Sequence, residues 1–170
     1  MKRTLVVLLA LVVSAFAAMT STDLHQLEGL RTVTVKVGLR LGRPDSMLVQ
    51  YAGERGLNGS ALGPVMTSIL QDSGMTVPDS STNAVLRLDV LLDRVDSNRV
   101  LGYLKLALIQ RARLDRESVP AFSEVVVGER LILSGTASDR TASLVKDVES
   151  FAVEQTGAFV QYWRFANKKK

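Results

Sequence analysis

Residues 138–167 read SDRTASLVKDVESFAVEQTGAFVQYWRFAN, and within them Leu144, Val148, Phe151, Gln155, Phe159, Trp163 and Ala166 recur every three or four positions. A stripe of that period, widened at its edges by Val145, Ala152 and Tyr162 and free of proline, predicts one long amphipathic helix. Thr136 or Ser138 is available as its N-cap, and Asp139 falls in the first turn near the positive end of the helix dipole. Gly157 weakens the middle by about 1 kcal/mol relative to alanine, a cost that makes sense where a neighbouring strand approaches closely. A helix with so wide an apolar face needs a surface to cover, and the preceding segments supply one.

Val33, Val35, Val37, Leu39 and Leu41 alternate with Thr32, Thr34, Lys36, Gly38 and Arg40. This period of two predicts a strand over 30–41 with one buried and one wet face. Leu86, Leu88, Val90 and Leu92 alternate in the same way with Arg87, Asp89, Leu91 and Asp93, and Gly102, Leu104, Leu106 and Leu108 with Tyr103, Lys105, Ala107 and Ile109. Directly paired residues share a face, so only registers joining even to even positions keep both apolar sets in the core. A three-residue connection Asp96-Ser97-Asn98, with Asn98 left-handed, satisfies this and sets Asp89 opposite Lys105. Phe122 to Leu133 reads as the last strand, and Gly128 marks a bulge or bend where the alternation loses phase.

Between the first two strands, Leu62, Val65, Met66, Ile69 and Leu70 fall at helical spacing, with Asn58 or Ser60 as N-cap and Gly74 as the terminating left-handed residue. Proline is cheapest in a first turn, so the regular helix is expected to begin close to Pro64. The expected fold is α+β and two-layered: a four-stranded, mostly antiparallel sheet with two helices on one face, in the order β-α-β-β-β-α, the one crossover being right-handed.

The N-terminus carries Lys2 and Arg3 before the apolar run Leu5 to Val13, and Ala15-Phe16-Ala17 places small residues where a signal peptidase reads. Residues 1–17 are therefore expected to be a signal peptide removed after Ala17; an uncleaved anchor is disfavoured because the apolar segment is shorter than the ~20 residues that span a bilayer. A polar lead over 18–29, a domain over 30–167 and a basic tail over 168–170 follow, in the periplasm or exterior. With no cysteine among the 170 residues, neither disulfides nor lipidation through an N-terminal cysteine is available, and stability rests on packing by a chain that is 46% hydrophobic. The formal charge of +4 is halved by loss of Lys2 and Arg3, and Lys168, Lys169 and Lys170 alone account for more than what remains. Nucleic acid is not an expected partner.

No catalytic, metal or cofactor motif stands out. His25, the only histidine, lies in an apparently loose segment and reads as solvated, since a metal site needs several convergent ligands. Asp89 and Asp93 invite an acid-base reading, but Arg87, Lys105 and Arg111 are near enough to neutralise them on a wet sheet face. Arg111, Arg113 and Arg116 beside Asp115 and Glu117 read as a solubilising loop or an anion-binding patch. Residues 42–59 form the longest irregular stretch, either a connector or a binding loop presenting Arg43, Tyr51, Glu54 and Arg55. Phe159, Tyr162, Trp163 and Phe165 ring the end of the last helix; Phe159 and Trp163 are expected in the core, with Tyr162 and Phe165 over a sheet edge, at a partner groove or at a membrane surface.

Gly56-Leu57-Asn58, Leu62, Leu70, Gly74-Met75, the leucine-rich strand pair, Gly128 and Phe151 through to Asn167 resemble the pattern of a group of small exported bacterial proteins of unknown function. Their helix starts after a Gly-Leu-Thr turn and stops at a glycine. Asn58 stands where threonine is usual, Phe122 where tryptophan is common, and Trp163 near a usual tyrosine. The resemblance implies shared caps, turns and core aromatics, and it carries no catalytic residue. By element order the chain also resembles small envelope modules, the lipopolysaccharide-assembly lipoprotein of the outer membrane and the N-terminal domain of the Tol propeller protein; the former's lipidation cysteine and the latter's propeller have no counterpart. The expected function is a non-enzymatic envelope accessory or binding module with a protein partner, acting through the sheet face with Thr32, Thr34, Arg87, Asp89, Tyr103 and Lys105, a strand edge or the 42–59 loop. The alternatives are a ligand binder or enzyme with a pocket between sheet and long helix, and a peripheral membrane protein using Tyr162, Phe165 and the lysine tail.

Overall fold

A computed structural model describes residues 21–42, 57, 59–96, 99–113, 120–135 and 138–168. The elements are α1 (Ser21–His25), β1 (Thr34–Leu41), α2 (Gly59–Asp72), β2 (Ala84–Asp96), β3 (Arg99–Arg113), β4 (Pro120–Gly135) and α3 (Ser138–Asn167). The four strands form one sheet in the order β1-β2-β3-β4, parallel between β1 and β2 and antiparallel elsewhere. The expected α+β architecture is thus observed. The expected signal peptide, the 43–56 stretch and the N-cap candidates Asn58 and Thr136 lie outside the described residues.

Register follows from the alternation. Val35, Val37, Leu39 and Leu41 pair with Leu86, Leu88, Val90 and Leu92, which in turn face Leu108, Leu106, Leu104 and Gly102. All four β2 side chains are buried, and so are Leu104, Leu106 and Leu108. Asp89 pairs with Lys105 as expected, although the turn is built differently. The ladder shifts between Arg94 and Asp96 and closes on Asp96↔Arg99, so Val95 is the extra residue and Asp96 belongs to the strand. Arg99 Nε donates to Asp96 Oδ2 at 2.6 Å and clamps that closing pair. Asn98 itself lies outside the described residues.

Over this face lie Leu144, Val148, Phe151 and Phe159 of α3, all buried, together with Leu62, Met66 and Leu70 of α2. A second stripe of α3, Ala152, Thr156 and Val160, is buried too. Spacing by four places it on one side of the helix, and α2 and α3 contact each other. At the β4 edge, Arg130 lies over the Phe151 ring, 5.4 Å from its centroid, and Arg130 Nη2 reaches Glu154 Oε2 at 2.8 Å. The guanidinium thereby covers an aromatic face while its charge stays at the surface.

Gly128 falls where expected, beside a register shift between Leu106 and Ala107 that leaves Val127 unpaired and buried. Its further role is steric. A Cβ on Gly128 would stand 2.1 Å from Gln155 Oε1 and 2.6 Å from Gln155 Cδ, so the missing side chain leaves the space that the end of the Gln155 side chain fills. Gly157, expected to serve that purpose, has nothing within 4 Å of its Cβ position. The close approach occurs through a glycine of the strand, and Gly157 faces open space.

Three further expectations are corrected. Helix α2 begins at Gly59, upstream of Pro64, and Ser60 lies inside it. Leu57 and Leu62, both buried, flank that start at the spacing of a hydrophobic staple, and burying both favours the earlier start over the missing proline donor. Its end is as expected: Gly74 has φ +95°, Gly74 N donates to Gln71 O and Met75 N to Leu70 O, the Schellman pattern with Leu70 and Met75 both buried. Val65 of this helix is exposed, because Leu62, Met66, Ile69 and Leu70 already fill the stripe.

Secondly, residues 31–33 precede β1 and are held by Thr76, with Val33 N donating to Thr76 O at 3.0 Å and Thr76 N to Arg31 O at 2.9 Å. The β1–β2 ladder starts only at Thr34↔Val85, so residues 31–33 pair with no residue of β2. Thirdly, the polar lead is not loose. Leu27 is fully buried, and the end of α3 binds the backbone around it: Trp163 Nε1 donates to Leu30 O at 2.6 Å, Asn167 Nδ2 to Leu27 O at 3.0 Å, and Gly29 N to Asn167 Oδ1 at 2.9 Å. Gly29 adopts φ +72°, which suits glycine at this bend. His25 is exposed, its Nδ1 2.9 Å from Glu28 Oε1.

Two stability predictions follow from this packing. Gly128→Ala is expected to cost about 1–3 kcal/mol in urea unfolding, with most of the loss recovered in Gly128→Ala/Gln155→Ala; an unaffected single variant would mean that Gln155 simply swings away. Thr156 is fully buried with no hydrogen-bond partner for Oγ1 among the described residues. Thr156→Val is therefore expected to stabilise by about 1 kcal/mol, read as a raised Tm.

Candidate binding surface

The sheet face away from the helices brings together four of the residues singled out from sequence. Arg87 Nε donates to Asp89 Oδ2 at 2.7 Å, Lys105 Nζ meets Glu124 Oε1 at 3.0 Å, and Arg87 Nη2 lies 3.8 Å from the same oxygen. Tyr103 OH donates to Glu129 Oε2 at 2.7 Å. These pairs form a belt across the middle of the sheet in which each charge meets its opposite. Lys105 sits opposite both Asp89 and Glu129 in the ladder yet extends to Glu124, a diagonal reach that its flexible stem permits. The Tyr103–Glu129 hydrogen bond, aided by partial burial, pushes the phenol pKa up to about 12.

Such a belt binds its own members. Asp89 is engaged by Arg87, and Asp93 sits against Gly42, whose Cβ position would stand 2.7 Å from Asp93 Cγ. The two carboxylates thus have different surroundings. Among the described residues, no group of three or more His, Cys, Asp or Glu side chains is placed to hold a metal ion.

Thr34 departs from expectation. It is buried, because residues 80–82 fold over it: Thr34 Oγ1 donates to Ser80 O at 3.0 Å, and Thr82 N donates to Thr34 Oγ1 at 3.0 Å. Thr34 is therefore withdrawn from the open face, while Lys36 and Arg40 of β1 stay exposed on it. Of the other candidates, Tyr162 is half-buried against the core and Phe165 is 56% exposed, while Arg43, Tyr51, Glu54 and Arg55 lie outside the described residues.

Beside the belt lies a feature that sequence reading missed. Leu91 pairs with Tyr103, which pairs with Leu131, and Leu101 pairs with Leu133, so all these side chains share the open face. Leu131 is 66% exposed and Leu133 60%, with Leu91 and Leu101 exposed beside them. Four leucines around one tyrosine, at the hairpin end of the face and beside its charged belt, form an apolar patch. Each one alone is unremarkable; ladder register gathers them. The odd-position set Leu91, Leu101, Leu131 and Leu133, laid on the even-to-even register, was the available signal.

The space between the sheet and α3 is occupied by Phe151, Phe159, Leu88, Leu104 and Leu106, all fully buried. A cleft of about 700 Å³ lies instead at the opposite end of the sheet from the leucine patch, between the lead and the strand ends. No helix among the described residues is long and apolar enough to cross a membrane.

No family model matches the chain, and no curated protein matches it. Among solved structures, it is similar to a Xanthomonas campestris protein of the DUF330 family (13% identity, TM-score 0.39, covering 79% of this chain and 86% of that one). A minor lipoprotein from Acinetobacter baumannii (13% identity, TM-score 0.36, 79% and 93% covered) and a candidate lipoprotein from Caulobacter crescentus (12%, 0.37, 86% and 97%) are similar to a like degree.

The Tyr103–Glu129 bond gives a pH signature. Because the folded phenol pKa lies above its ordinary value of ~10, the stabilisation is complete below that value and is lost as pH rises through about 12. Difference titration at the tyrosinate absorbance against Tyr103→Phe is expected to show ionisation near 12, moving back toward ~10 in Glu129→Gln. A Tyr103 signal already near ~10 in the parent protein would contradict the bond.

Proposed function

We propose that the protein is a non-enzymatic accessory module of the bacterial cell envelope, exported by its N-terminal signal, that docks a protein partner on the open face of its sheet. The leucine patch carries this reading. Four large aliphatic side chains left in water on one face, next to a rim whose charges are already paired, suit a partner that brings its own apolar side chains. Each leucine buried by the partner would contribute roughly 1.5–3 kcal/mol of hydrophobic stabilisation. The self-neutralised belt would act as the polar rim, disfavouring partners with unpaired charge. The signal segment, with Lys2 and Arg3 before Leu5 to Val13, supports delivery to the periplasm.

Photo-crosslinking from position 131 in living cells, followed by envelope fractionation, tests the reading. A discrete crosslinked partner in the periplasmic or membrane fraction is expected, lost when Leu133→Lys is combined with the probe and retained when the distant Arg40→Gln is. A mature N-terminus at Ala18 would agree with export. No crosslink, or one indifferent to Leu133→Lys, would remove the leucine patch as a docking site.

A further inference from the structure

The cleft at the other end of the sheet has a different character. Arg31 reaches it from the lead and Arg111 from the end of β3, where Arg111 N donates to Asn83 O at 2.8 Å and fixes the backbone. Neither guanidinium has an ion-pair partner among the described residues, and no described carboxylate lines the cleft. Acidic residues on the neighbouring segments are engaged elsewhere: Glu28 with His25, and Glu124 with Arg87 and Lys105. The remaining walls offer amides and hydroxyls, including Gln26, Asn83, Gln110 and Thr82. A hydrogen bond between Ser123 Oγ and Gln26 Oε1 ties the lead to β4, so the cleft is held in shape before anything enters it. Its volume of about 700 Å³ is that of a small-molecule site.

We propose that this cleft binds a phosphoryl group, with the Arg31 and Arg111 guanidiniums as its charged clamps and the neighbouring amides as further donors. Guanidinium forks match tetrahedral oxyanions by paired hydrogen bonds, and two arginines lining one cleft with no carboxylate among its described lining residues suit such an anion. Thr82, Asn83 and Arg111 also border a second groove of about 290 Å³, whose wall is apolar through Val85, Ile109 and Phe122, the last 74% exposed. A phosphoryl group carried on an apolar body has room to lay that body there; one on a soluble molecule has no need of it. The site is separate from the leucine patch and does not depend on its role.

Titration calorimetry of the full chain with glycerol phosphate, and co-sedimentation with phosphatidylglycerol against phosphatidylcholine vesicles, test the inference. Saturable binding to at least one phosphoryl probe is expected, weakened about tenfold or more by Arg31→Gln/Arg111→Gln. The charge-matched Arg40→Gln/Arg164→Gln control is expected to leave binding and Tm as in the parent. Binding of glycerol phosphate identifies a soluble source, and binding confined to phosphatidylglycerol vesicles a lipid headgroup; either supports the site. The inference is overturned if neither probe binds saturably, if the cleft variant binds like the parent, or if both double variants lose binding equally.

Discussion

Closure of one sheet face by the apolar stripes of α3 is the constraint on which the remainder of the structure depends. The even-numbered side chains of β2 and β3 are nearly all aliphatic, and without a lid they would stand in water. Leu144, Val148, Phe151 and Phe159 lie fully or almost fully buried over them. At roughly 1.5–3 kcal/mol for each such side chain, the stripe outweighs the weak helical tendency of a segment that contains glycine and β-branched residues. The same closure dictates where small residues must stand. Gly128 has no side chain because Gln155 occupies that space.

The far end of the helix turns closure into connectivity. Trp163 and Asn167 spend their polar groups on the backbone around Leu27 and Leu30, so the N-terminal lead is fastened to the C-terminal helix. That fastening places Gln26 and Arg31 beside the strand ends and gives the cationic cleft its outer wall. The helices occupy one face, the lead closes one end, and the other face is left with a charge belt and a leucine patch. Its two candidate surfaces are therefore consequences of a single packing decision, one on the face the helices leave open and one where the lead is drawn in.

Much of this was legible in the residues. Period two in β2 and β3, together with the demand that apolar sets share a face, specified the register down to Asp89 opposite Lys105, and loss of phase at Gly128 located the bulge. What escaped reading depends on long-range geometry. Leu27 looks like one more residue of a polar lead until Asn167 and Trp163 arrive from the other terminus, and Thr34 looks exposed until residues 80–82 fold over it. Gly157 and Gly128 are indistinguishable as steric devices without the helix-to-strand distance. The leucine patch is hidden for a related reason: its members belong to three strands, and each strand separately contributes only one or two of them. Of the expected charge pairings Arg87 with Asp89 is observed, along a single strand, while the choice of Glu124 over Asp89 by Lys105 is a matter of side-chain reach that no periodicity encodes.

Trp163 is the only tryptophan in the chain, which allows helix and sheet to be followed separately. The most direct test of the closure is urea unfolding monitored simultaneously by Trp163 fluorescence and by far-UV circular dichroism. If α3 and the sheet hold each other, both signals change in one transition with the same midpoint and slope. A Trp163 transition completed at lower urea, with the strand signal intact, would mean that the sheet stands without its helix and would contradict the account.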